Sequence, residues 1–188
     1  MPLTKSKFRQ DCLKKMKKLH KHNKKYKDLL LNQELIRLLK KERGKRILFY
    51  YPLENEVDIR KTLQQIRRKC NIFLPFMEGK SFKMVPFRLP LSKKKFEIFE
   101  AGNTLQNIRN IDIAIVPVVG VDGNLQRVGF GKGMYDRFFE RLQKRPYTIF
   151  IQTELCYTKE KICDVYDVRG DILITTRKKI KTRSNKRI

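Results

Sequence analysis

The apolar positions of the chain follow two periods. In residues 3–22, Phe8, Cys12, Met16 and Leu19 recur at helical spacing with lysines on the opposite face, which predicts an amphipathic helix. Residues 26–42 carry a second, leucine-rich helical pattern, with Gly44 as its expected C-terminal cap. Residues 47–51 are instead a short unbroken apolar run, the pattern of a buried strand. Asp58 stands where it can begin or cap a helix with Ile59, Leu63 and Ile66 on one face, and residues 72–76 form the next strand. Strand, helix and strand with short links predict a parallel βαβ unit. It leaves Glu54, Glu56 and Asp58 just past the C-terminal end of a strand, where α/β sheets place their ligands.

Residues 82–89 and 93–99 read as short strands, the first kept to an edge or broken by Pro86. Residues 111–119 give the strongest strand signal, nearly continuous and β-branched, as in the centre of a sheet, with Pro117 marking its end. Asp122-Gly123 is a turn. A helix carrying Met134, Phe138 and Leu142 runs toward Pro146, and residues 147–152 and 171–175 predict two further strands. The basic tail, residues 177–188, is expected to fray. The whole of residues 1–188 is predicted to be one domain, with no internal repeat and no linker.

Within this frame one stretch carries chemistry. Residues 125–137 read LQRVGFGKGMYDR, with Gly129, Gly131 and Gly133 alternating around Lys132 between a strand and a helix start. Glycines let backbone approach a ligand and adopt positive φ, and free N–H groups at a helix start favour an anion. A glycine cluster alone equally marks a tight turn. The spacing is neither a Walker A loop, since Gly133 stands where Ser or Thr is needed, nor a dinucleotide fingerprint, since G-x-G-x-G replaces G-x-G-x-x-G. Lys5 and Arg9 lie one helical turn apart and can point at one place, or can belong to a solvated basic face. Asp136 can hold a Mg²⁺ beside phosphates, or simply stabilise a helix N-terminus.

Charge and cysteines change the picture only partly. The 188 residues carry a formal charge of +26, which favours acidic partners such as nucleotides or nucleic acid, yet the lysines are spread over nearly every segment. No RRM-type aromatic motif, zinc finger or clear recognition helix supports a nucleic-acid-binding module, which stays the alternative. Cys12, Cys70, Cys156 and Cys163 form no CxxC pair and are expected to be reduced, and His20 and His22 lie among lysines, so no zinc site is predicted. No membrane span or apolar leader is present, so a soluble, cytoplasmic protein is expected.

The stretch Arg127-Val128-Gly129-Phe130-Gly131-Lys132-Gly133-Met134-Tyr135-Asp136-Arg137 resembles the nucleotide loop of the 5-formyltetrahydrofolate cyclo-ligase family. Other matches follow in the family's order. They are residues 5–9 (KSKFR), Glu56-Val57-Asp58, Phe73-Leu74-Pro75, residues 96–100 (FEIFE), residues 112–117, and the late pair Asp167 and Asp171. The resemblance implies a three-layer α/β/α fold around a mostly parallel, mixed sheet. It implies an ATP- and Mg²⁺-dependent ligase that closes 5-formyltetrahydrofolate, with a polyglutamate tail among its cellular forms, to 5,10-methenyltetrahydrofolate; a related ATP-dependent enzyme with another substrate is the second alternative. Carried over by position, Lys5 and Arg9 would clamp ATP phosphates. Arg127, Gly129, Phe130, Gly131, Lys132, Gly133, Met134 and Tyr135 would wrap the triphosphate, with the cations Arg127 and Lys132 carrying the chemistry. Asp136 and Asp167 would ligate Mg²⁺. Tyr51 and Glu56 would contact the folate, and Phe130 to Met134 would lie between the two substrates. Met134, Ala101, residues 152–154 and Tyr166 depart from the family pattern.

Overall fold

The structure is a computed structural model that describes residues 2–20, 23–93, 99–103 and 108–182. Its centre is a seven-stranded sheet. In chain order its strands are β1 (Arg46–Leu48), β2 (Asn71–Glu78), β3 (Ser81–Pro86), β6 (Ile113–Pro117), β9 (Tyr147–Ile151), β10 (Ile172–Ile174) and β11 (Lys179–Lys181). They lie in the order β11-β10-β9-β6-β1-β2-β3. The five inner strands pair in parallel, and β3 and β11 close the two edges antiparallel, so the sheet is mixed and mostly parallel.

Strands buried on both faces need apolar residues at every position, and β6, the middle strand, is buried throughout. Alternation sorts each strand between two cores. Ile47, Ile72, Ile113, Ile149 and Ile172 face one, with Leu31, Leu35 and Leu39 of α2 (Lys24–Leu39) and Leu63 and Ile66 of α3 (Arg60–Ile66). Leu48, Phe73, Ala114, Phe150 and Leu173 face the other, with Phe138 of α4 (Met134–Glu140). Helices therefore cover both faces, giving three layers. The unit β1-α3-β2 is the expected parallel βαβ.

α1 (Lys5–His20) covers neither face. Phe8 and Cys12 pack instead on Val119 and Val128, beside a two-stranded ribbon, β7 (Gly120–Val121) with β8 (Arg127–Val128). The close fit is visible at Gly120, where a Cβ would come within 2.7 Å of the Phe8 ring.

Several expectations are corrected. The cysteines are not all reduced thiols: Cys12 and Cys156 form a disulfide, with Cα atoms 5.8 Å apart, while Cys70 and Cys163 are free. The C-cap of α2 is Lys40, and Gly44 lies beyond it at φ +65°, where its N–H donates to Lys69 O at 2.8 Å. The basic tail is ordered as far as β11, because Ile180 pairs with Leu173. The strand expected at 93–99 appears at its two ends as β4 (Ser92–Lys93) paired with β5 (Phe99–Glu100), and residues 94–98 lie outside the described residues. So do the Leu19 and His20 side chains, His22 and residues 183–188.

Candidate active site

The glycine loop leaves the sheet proper through β8 and enters α4 directly. Gly131 at φ +96° and Gly133 at φ +60° occupy the left-handed region, which a side chain would disfavour. Gly129 is needed for another reason: a Cβ there would stand 2.3 Å from Nη1 of Arg127. Arg127 as a whole is only 7% exposed. Its Nε donates to Pro117 O at 3.2 Å, and its plane lies over the Tyr135 ring, 4.7 Å from the centroid. Burial pushes the Arg127 guanidinium below its ordinary value, opposed by the negative charge of Asp136.

α1 reaches this loop from the side. Arg9 Nε donates to Gly129 O at 2.8 Å, and its guanidinium lies beside Gly131. One turn earlier, Lys5 Nζ donates to Asp164 Oδ2 at 3.1 Å and to Asp167 Oδ2. Burial alone would lower the Lys5 ammonium, but the bonds to Asp167 and Asp164 together outweigh it and hold the ammonium above its ordinary value. Asp136, in the first turn of α4, accepts the Val168 N–H at Oδ1, 3.1 Å away, which ties it to the neighbour of Asp167.

Beyond the C-terminal end of β1 come Tyr50 and Tyr51, and of the three acids expected there only Glu56 enters the site. Glu54 is exposed, and Asp58 turns away to bond the Arg60 N–H and guanidinium. Glu56 is 8% exposed, and its Oε2 accepts the Leu53 N–H at 2.9 Å. Burial raises its carboxyl from 4.5 to about 7, against the Leu53 N–H and the Arg127 charge.

The glycine loop, the α1 cations and Glu56 line one cavity of about 1090 Å³. Its wall includes Lys5, Arg9, Tyr51, Glu56, Arg127, Gly129 through Tyr135, Asp136 and Asp167, the residues to which the resemblance gave a site role, whereas Glu54, Asp58 and Asp171 do not line it. Single drug-sized ligands fill cavities of about 300–1,000 Å³, so this one lies at the upper end of that range. Sequence reasoning missed Pro75 and Met77 of β2, Phe82 of β3 and Phe139 of α4, which form an apolar part of the wall. Phe82 stacks on Phe138 with centroids 4.3 Å apart and meets Tyr135 edge-on at 5.0 Å. Pro75 falls in the matched stretch Phe73-Leu74-Pro75, which carried no site role; for Met77 and Phe82 the available signal was the apolar pattern of β2 and β3, and for Phe139 that of α4.

Among the described residues no group of three or more His, Cys, Asp or Glu side chains is placed to hold a metal ion. The two-carboxylate set of Asp136 and Asp167 nevertheless fits a hard cation that shares its coordination with water and phosphate oxygens. Each carboxylate lines the cavity and spends one oxygen on hydrogen bonds, Oδ1 of Asp136 and Oδ2 of Asp167.

The site is a cavity in a three-layer α/β domain, bordered by a glycine-rich loop and lined by cations and by the carboxylates of Asp136 and Asp167, an arrangement suited to an anionic ligand. Comparison with known proteins narrows this. The sequence model of the 5-formyltetrahydrofolate cyclo-ligase family matches residues 3–173, and the chain belongs to that family of ligases. A 5-formyltetrahydrofolate cyclo-ligase from Mycoplasma pneumoniae is 28% identical over 176 residues, 92% of this chain and 98% of its own. One from Mus musculus is 27% identical, over 76% of this chain and 79% of its own. A solved 5,10-methenyltetrahydrofolate synthetase from Mycoplasma pneumoniae superposes with a TM-score of 0.71 at 25% identity, covering 92% of this chain and 98% of its own. One from Aquifex aeolicus shares the fold with a TM-score of 0.80 at 24% identity, covering 99% and 96%. Among the described residues no helix is long and apolar enough to cross a membrane.

Proposed function

We propose that this chain closes 5-formyltetrahydrofolate to 5,10-methenyltetrahydrofolate at the expense of ATP, with Mg²⁺, releasing ADP and phosphate. The observation that carries the proposal is the meeting, in one cavity, of the loop, the α1 cations, the paired carboxylates and Glu56. Family membership supports the folate as substrate, and the cations lining the cavity support an anionic co-substrate beside it.

The formyl oxygen is a poor leaving group. It attacks the γ-phosphorus, the bond to the β-phosphate oxygen breaks, and ADP leaves. N10 of the folate then attacks the activated carbon, the carbon–oxygen bond breaks, and phosphate departs with the former formyl oxygen while N10 loses its proton. The protein's task is to hold the two substrates in line and to offset charge. Arg9 and the loop glycines face the phosphates. Lys5 has three donors and spends two on Asp164 and Asp167, so one remains for a phosphate oxygen. Lys132 meets the γ-phosphate. Arg127, buried against Tyr135, contributes its charge from beneath the loop. Asp136 and Asp167 would hold Mg²⁺, whose charge would offset that of the phosphate oxygens when bound. Tyr51 and Glu56 contact the pterin, Glu56 accepting from its N–H edge, and the loop from Phe130 to Met134 separates the two ligands. A cytoplasmic location and polyglutamylated folate belong to the same proposal and rest on the sequence resemblance.

The test is the absorbance of the methenyl product, followed with purified protein, 5-formyltetrahydrofolate, ATP and Mg²⁺, each omitted in turn. A rise that needs every component is expected. A rise without ATP, or none from folded protein, overturns the proposal.

A further inference from the structure

Six large hydrophobic side chains are exposed among the described residues, and three of them, Phe130, Val165 and Tyr166, line the one cavity. Val165 is 99% and Tyr166 70% exposed. Scattered exposed apolar residues need no explanation, but a cluster on a cavity rim marks a ligand surface. Tyr166 is also held in place. Its hydroxyl bonds to the Asp164 carboxylate, and Lys5 Nζ lies 5.8 Å from its ring centroid. The turn that carries it is closed by Asp167 N–H to Asp164 O at 3.0 Å and by Asp164 N–H to Asp167 Oδ2 at 2.7 Å. Gln126 Nε2 donates to Asp164 O at 2.6 Å and anchors the turn to the segment leading into β8. A fixed aromatic face thus stands beside the Lys5–Asp167 pair, with most of its surface open to solvent.

We propose that Tyr166, backed by Val165, is the platform on which the base of the bound nucleotide stacks. The proposal rests on the nucleotide assignment above. Phosphates placed along Lys5, Arg9 and the glycine loop leave the base to be held farther out, and no function is yet given to an exposed ring next to a proposed phosphate clamp. A purine presents a flat apolar face, and stacking on an aromatic side chain recovers the area it would otherwise leave in water. The rim position means that the base is held by its face rather than read by buried hydrogen bonds.

The experiment is calorimetric binding of ADP and of inorganic pyrophosphate, both with Mg²⁺, to the full chain and to its Tyr166→Ala and Tyr166→Phe variants. Loss of the ring is expected to weaken ADP by between about 5-fold and about 100-fold, with pyrophosphate unchanged. Tyr166→Phe keeps the ring and gives up the bond to Asp164, so its ADP affinity should stay within about 2-fold of wild type. In turnover, Tyr166→Ala should raise the KM for ATP and leave kcat nearly unchanged. Wild-type ADP affinity in Tyr166→Ala overturns the proposal. Equal weakening of ADP and pyrophosphate also overturns it, since that outcome assigns the residue to the Asp164–Asp167 turn. A wild-type chain that binds pyrophosphate as tightly as ADP has no base platform, although its phosphate loop stands. Binding of neither ligand removes the nucleotide assignment and this proposal together.

Discussion

Glu56→Gln separates what the fold gives up at this position from what the site gains. The wild-type residue is 8% exposed and its carboxyl is pushed up to about 7, from an ordinary 4.5, because burial disfavours its charged form. Between those two values the folded chain keeps a proton that the unfolded chain has released. Stability therefore falls as pH rises from 4.5 through about 7, and the loss is complete above it. At about 1.4 kcal/mol per factor of ten, the gap amounts to roughly 3 kcal/mol by pH 8. Glutamine keeps the volume and an oxygen for the Leu53 N–H, but carries no charge to desolvate. The variant should match wild type near pH 4.5 and exceed it by up to about 3 kcal/mol at pH 8. Urea unfolding of both proteins from pH 4.5 to 8 reads the difference, in which the other titrating groups cancel. The same variant should bind folate about 10- to 100-fold more weakly, as expected when an ionised acceptor is lost, and should lose any gain in folate affinity as pH climbs through 7. A stability difference that does not change with pH would refute the reasoning, since it would mean that Glu56 is ionised at no cost.

Lys132→Ala should raise the KM for ATP and lower turnover by about 10- to 100-fold with an unchanged circular dichroism spectrum; wild-type turnover would remove Lys132 from the phosphate. Asp136→Asn keeps an oxygen for the Val168 N–H, so the fold should survive while the Mg²⁺ titration moves to higher concentration. An unchanged titration would reduce Asp136 to a helix N-terminus carboxylate. Gly129→Ala places a methyl 2.3 Å from Arg127 Nη1 and should cost about 1–3 kcal/mol in thermal unfolding, together with loss of activity as the guanidinium is displaced. Removal of the chain from residue 177 onward takes away β11 and its Lys179–Glu34 ion pair and should lower the melting temperature; an unchanged melting temperature would show that β11 adds nothing to the sheet.

The sequence made the parts with a strong local signature legible. β6 was readable because five consecutive buried positions force an unbroken apolar run, and the loop because alternating glycines around a lysine are rare. The ribbon β7–β8 was not, because two-residue strands carry no period; residues 120–128 read only as a turn and a loop. β11 was hidden for the opposite reason. Lys-Ile-Lys inside a basic tail looks solvated, and lysines are what an exposed edge strand tolerates, so only pairing with β10 distinguishes it from frayed chain. The Cys12–Cys156 bond spans 144 positions, a separation that no spacing rule reads. Within the site, Lys5 and Asp167 were each foreseen, but the ion pair between them was not, since the first helix and the late acidic turn meet only in the fold. Pro75, Met77, Phe82 and Phe139 look like ordinary core residues and become cavity wall only because the loop stands away from them.

Transfer of oxygen between the two substrates tests the central claim most directly. With ¹⁸O in the formyl group of 5-formyltetrahydrofolate, a single turnover with unlabelled ATP should place the label in the released inorganic phosphate, because phosphate leaves with the oxygen that was phosphorylated. Label appearing in water, with phosphate unlabelled, would contradict activation of the formyl oxygen by ATP.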